Sequence, residues 1–163
     1  MAEIVAGKGA RWRVKSVRKL SPEENRGKHN VYVDVWRNGS CLRSLSAITV
    51  AYGWQDTPAQ TLRLDKPMSE PGTNFPIYSG ARYWVKVVDM DGKQSDMVTG
   101  LSCDLPDEPQ PADGLGGNTY GHHSWMVEFE WSEEQQQQGR LLAEVYACLD
   151  QLAAALAKIE PRS

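Results

Sequence analysis

The chain has 163 residues, 40% of them hydrophobic and 24% charged, with a net charge of −3. That is a globular composition, long enough for one core and an appendage; it excludes a disordered chain, and no apolar run approaches a membrane span. Three cysteines, an odd number, argue against a disulfide framework and for free thiols.

The charge is unevenly spread. Residues 1–43 hold ten Lys and Arg against four Asp and Glu, and the remainder hold eight against seventeen. A basic first third suits an acidic partner surface or nucleic acid; equally, basic and acidic strands can face each other in one sheet. The basic residues alternate with apolar ones instead of clustering, which favours the second reading.

Residues 1–10 read as a flexible N-terminal arm, small and without pattern. The opening MAEIVAGKGARWRVK lacks the apolar core of a secretory signal, which predicts a chain made in a cytoplasm. Arg11–Leu20 reads as a strand with Trp12 and Val14 on one face and Arg11, Arg13 and Lys15 on the other. Ser21–Asn30 is a polar loop. Val31–Trp36 alternates cleanly and ends at Asn38-Gly39, where both residues tolerate the positive φ of a tight hairpin.

Leu42–Trp54 returns as a longer strand, and Thr61–Leu64 is a short one. Asp65–Gly80 holds three prolines and two glycines and reads as a long ordered loop or crossover. Arg82–Val88 and Asp96–Ser102 are strands. Asp104–Gly117, with three prolines, three glycines and four acids, reads as a mobile connection. The strongest strand follows. Trp125, Val127, Phe129 and Trp131 point one way and Ser124, Met126, Glu128 and Glu130 the other, a period of two with bulky aromatics on one side. About seven short strands separated by turn signals, with no helical pattern between them, predict an antiparallel β-sandwich over residues 11–131.

Composition shifts at Ser132. Ser132 suits an N-cap, and Glu133 and Glu134 sit where a helix dipole favours acids. Leu142, Val145, Leu149, Leu152, Leu156 and Ile159 then follow steps of three and four residues, a heptad with Leu at every a position. Residues 132–163 are therefore expected to form an oligomerisation helix. Leu at a with β-branched residues among the d positions favours a trimer over a dimer. Folding back onto the strands is the rival arrangement.

No residue pattern announces catalysis. His122 and His123 are adjacent, so on an extended chain they point to opposite faces and are poorly placed to chelate one ion; no HExxH and no cysteine pair at zinc spacing exists. Asp89-Met90-Asp91-Gly92 has part of a calcium loop but lacks its third ligand and terminal glutamate, so a hairpin turn explains it better. There is no GxSxG and no phosphate loop. The expectation is a non-enzyme without metal or cofactor. Trp54 follows a glycine at a strand end, where a ring either covers the open end of the body or stacks on a sugar.

Four segments, LSPEENRGKHNVYVDV at 20–35, LDKPMSEPGTNFPIYSGARYWVKV at 64–87, SDMVTGL at 95–101 and GNTYGHHSWMVEF at 117–129, together resemble a small immunoglobulin-like module of bacteriophage virion proteins, also found beside bacterial and phage cell-wall hydrolases. The resemblance spans roughly residues 12–131 and implies an accessory or surface module without a catalytic signature. The expected function is that of a virion structural protein, a capsid decoration or head-fibre component. Its expected partners are its own copies and other virion proteins such as the major capsid protein, with no membrane and no specific nucleic acid. The alternative is a carbohydrate-binding module of a tail or cell-wall-directed protein. It would recognise host-surface glycans through Trp54, Asn118, Tyr120, His122 and His123.

Overall fold

The computed structural model describes residues 1–43, 47–92, 94–132 and 134–156. It comprises two units, 1–131 and 132–163. The described residues of the first form ten strands and a single helical turn. These are β1 (Glu3–Val5), β2 (Trp12–Lys19), α1 (Pro22–Asn25), β3 (Asn30–Arg37), β4 (Ser40–Cys41), β5 (Ile48–Trp54), β6 (Gln60–Arg63), β7 (Thr73–Pro76), β8 (Tyr83–Asp89), β9 (Met97–Leu101) and β10 (Trp125–Trp131). The second contains α2 (Glu134–Leu156).

Two sheets enclose one core. The first runs β1-β9-β8-β5-β6 and is antiparallel throughout. The second runs β2-β10-β3-β4, with β7 sharing the far edge of β3. Here the expectation of antiparallel sheets needs correction. β10 slots between β2 and β3, antiparallel to the first but parallel to the second, so this sheet is mixed. A strand that arrives last in the chain and pairs on both sides must run with one neighbour and against the other when those neighbours are themselves opposed.

The alternation read in β10 is the alternation observed. Trp125, Val127 and Phe129 are buried, opposite Val31, Val33 and Val35 of β3. Met126, Glu128 and Glu130 are half-exposed. Trp131, at the strand end, is only half-buried, its ring against the edge of Trp12 and beneath the guanidinium groups of Arg11 and Arg37. Ser124, placed on the wet face by its position, is buried instead and accepts the backbone N–H of Asn30. On β2 the register shifts opposite Glu128/Phe129, leaving Lys15 unpaired. That bulge lets Val14 and Val17, an odd spacing apart, both pack against the core. From the other sheet come Val50, Val85, Val98 and Leu101, with Tyr52 stacked 4.0 Å from Phe75 of β7.

Local chemistry sets the connections. Asn38 and Gly39 take φ values of 52° and 73°, as the tight β3–β4 hairpin demands. Ser21 caps α1, with Glu24 closing a capping box, a signal present in Ser-Pro-Glu-Glu but first read as loop. Of the long strand expected over 42–54, only residues 48–54 form one, β5 in the first sheet; the hairpin's return strand is the two-residue β4, just before it, in the second sheet. The supposed crossover at 65–80 contributes β7 to the second sheet.

Residues 1–10 are also not the free arm expected. β1 pairs with β9, and the buried carboxylate of Asp96 accepts from Gly7 N and Val14 N, tying the N-terminal segment to β2. Five of the ten basic residues among the first 43 find carboxylate partners within the unit. Arg13 pairs with Asp96, Arg18 with Glu24, Lys19 with Glu108, Arg26 with Asp113 and Arg43 with Asp34.

Cys41, Cys103 and Cys148 are free thiols. Burial pushes the first two above the usual thiol range.

Candidate functional site

The residues singled out from the sequence fall into three places. The first is a buried polar knot. The amide Nδ2 of Asn118 donates to Leu20 O at 3.0 Å and to Glu108 Oε2 at 2.7 Å, and its Oδ1 accepts from Asn25 Nδ2 at 2.7 Å. Asn25 Nδ2 also reaches Lys28 O and His122 O. Both asparagines are fully buried. His123 is equally buried and donates from Nδ1 to Cys103 O, since a carbonyl only accepts. Desolvation holds its imidazole neutral, with a pKa below the ordinary histidine value.

These contacts correct two expectations. Asn118 and His123 are anchors beneath the surface and cannot touch a glycan. The segment 104–117 is a latched loop. Asp104 accepts Gly80 N, Glu108 N donates to Asn118 O, Glu108 pairs with Lys19 and Asp113 with Arg26. Its acids, read as a sign of mobility, are the latches themselves. Hydrogen bonds from Ser79, Gly80 and Ser102 hold the Asp104 carboxyl below its ordinary range, and Arg26 does the same for Asp113.

The second place is a surface cluster above that knot. His122 is exposed and Tyr120 is 64% exposed. The His122 ring meets the ring of His29, centroids 5.6 Å apart, and His29 in turn meets Tyr78 at 5.7 Å. His29 and Tyr78 were not found by sequence reasoning; they lie 93 and 44 residues before His122, and only the pairing of β7 with β3 brings them together. Trp54 stands apart from this cluster, half-buried with its ring 5.3 Å from Tyr83. Its ring packs against the edge of the core. The Asp89–Gly92 segment is a turn: Gly92 N donates to Asp89 O, Asp91 N to Asp89 Oδ1, and Asp89 Oδ2 accepts from Trp12 Nε1. Among the described residues no three His, Cys, Asp or Glu gather as metal ligands.

The third place is α2. Val145, Leu149 and Leu152 are 53–54% exposed, and the flanking Leu141 and Tyr146 are more so. The side chains of Leu142 and Leu156 and all of Ile159 lie outside the described residues. Val145, Leu149 and Leu152 occupy d, a and d of the heptad and recur along one side of the helix. No helix of the described residues is long and apolar enough to cross a membrane.

A surface groove of about 570 Å³ is lined by Arg18–Glu24 and Glu108–Gln110. Within it Arg18 pairs with Glu24 and Lys19 with Glu108.

No protein-family model matches the chain, and no curated protein and no solved structure matches it.

Proposed function

We propose that the chain is a non-catalytic structural protein of a phage virion, a capsid decoration or head-fibre component whose two sheets form an immunoglobulin-like sandwich. In this reading it assembles through a coiled coil of α2. The observation that carries the assembly is the row Val145, Leu149 and Leu152, more than half exposed along a 23-residue helix. An isolated helix of this length is marginal in water and gains stability by covering such a row. A second and third copy offer the complementary surface, because a heptad stripe packs against itself. Leu at the a positions, with Val145 and Ile159 among the d positions, points to a trimer. The virion assignment rests on the resemblance of residues 12–131 to phage surface modules. Co-sedimentation of the purified chain with capsids lacking it tests this directly; particles that leave it in the supernatant contradict it.

A second reading, recognition of surface glycans, is favoured by one observation. The Tyr78 and Tyr120 rings stand 60% and 64% exposed at the end of the body that carries His29 and His122. Exposed phenol rings stack on sugars, and imidazoles bond to hydroxyl groups. Binding of cell-surface polysaccharide that falls with Tyr78→Ala supports it, and binding unaffected by that change counts against it.

A further inference from the structure

We propose that His29 and His122 form a two-histidine surface site for a divalent transition-metal ion, independent of the assembly reading. Adjacent His122 and His123 diverge, one exposed and one buried, so that pair chelates nothing. The partner of His122 is His29.

Three features suit the pair to this task. First, His122 Nδ1 lies 2.9 Å from Gly27 O. A carbonyl only accepts, so Nδ1 carries the proton and Nε2 carries the free lone pair, the tautomer a metal requires. A backbone carbonyl on the remote ring nitrogen is the common support of a metal-bound histidine. Second, both residues are held by their backbones. His122 N donates to Thr119 O at 2.8 Å, and His29 O accepts from Ile77 N at 2.8 Å, immediately before β3. Third, the spacing fits. Two imidazoles on one tetrahedral ion, with bonds of about 2.0–2.1 Å, place their ring centres roughly 5 Å apart. The observed centroid separation is 5.6 Å, with ring planes at 76°. Imidazole donors select zinc, nickel or copper over magnesium or calcium. With no third His, Cys, Asp or Glu gathered among the described residues, water or an outside ligand fills the remaining positions.

The test is calorimetric titration of the full chain with NiCl2 and with ZnCl2 after chelator treatment, carried out in a Cys148→Ser background because that thiol is exposed. One ion per chain is expected, with His29→Gln and His122→Gln each weakening binding by more than about tenfold. His122 is exposed and His29 half-buried, and neither belongs to the core, so circular dichroism should match the parent. As a second measurement, substoichiometric Ni2+ should broaden the imidazole resonances of His29 and His122 before those of His123. No stoichiometric binding by the parent, binding that survives either substitution, or broadening that spares His29 overturns the proposal.

Discussion

Replacing Asn118 by alanine should be among the most damaging single changes outside the apolar core. The side chain is fully buried and makes three hydrogen bonds, two with neutral partners and one with the Glu108 carboxylate. At about 1 kcal/mol for each neutral bond and about 1.5–3 for the charged one, the sum is about 4 kcal/mol. Some is recovered, because Glu108 keeps Lys19 and Asn25 keeps Lys28 O and His122 O. A net loss of about 3 kcal/mol is expected, with the urea midpoint falling by about 1–2 M. Six tryptophans make fluorescence a suitable probe. Limited proteolysis should then cut first within 104–117, because the residue removed holds Glu108 of that loop and ties the loop's end to Leu20 and Asn25. A change below about 0.5 kcal/mol would refute the reasoning. It would mean that Asn118 is not an anchor, and would return it to the pool of surface-binding candidates.

Other expectations follow from the same geometry. His123 has a folded-state pKa below its ordinary 6.5, so the unfolded chain takes up a proton first as pH falls. Stability present above pH 6.5 should decline as pH drops toward the folded value; the urea midpoint should be lower at pH 5.5 than at 7.5, and His123→Gln should shrink that difference. Phe129→Ala, in the fully buried centre of β10, should cost about 3–5 kcal/mol by urea denaturation, and a cost below 1 would contradict its placement. Leu149→Glu with Leu152→Glu should abolish self-association in size-exclusion chromatography while leaving the tryptophan unfolding transition of residues 1–131 in place. Retained association would locate the contact elsewhere.

What the sequence made legible was whatever is written in local pattern. The alternation of Trp125, Val127 and Phe129, the Asn38-Gly39 hairpin and the helix after Ser132 each depend on neighbours a few residues away. What it hid depends on distant pairing. Nothing near β10 says that it will run parallel to β3, and nothing near Phe75 says that a proline-bearing loop will add a strand there. Asp104, Glu108 and Asp113 looked like solvated acids because their partners Gly80, Lys19 and Arg26 lie 24 to 89 residues away. The candidate site was half legible for the same reason. His122 and Tyr120 stood out in their own segment, while His29 and Tyr78 enter only through the fold, and burial removes Asn118 and His123 from the surface.

The central claim, that the exposed row on α2 is an assembly surface, is tested most directly by sedimentation equilibrium of the intact chain beside a chain ending at Ser132. The account predicts a trimer for the first and a folded monomer for the second. A monomeric intact chain, or an oligomer that survives the truncation, would contradict it.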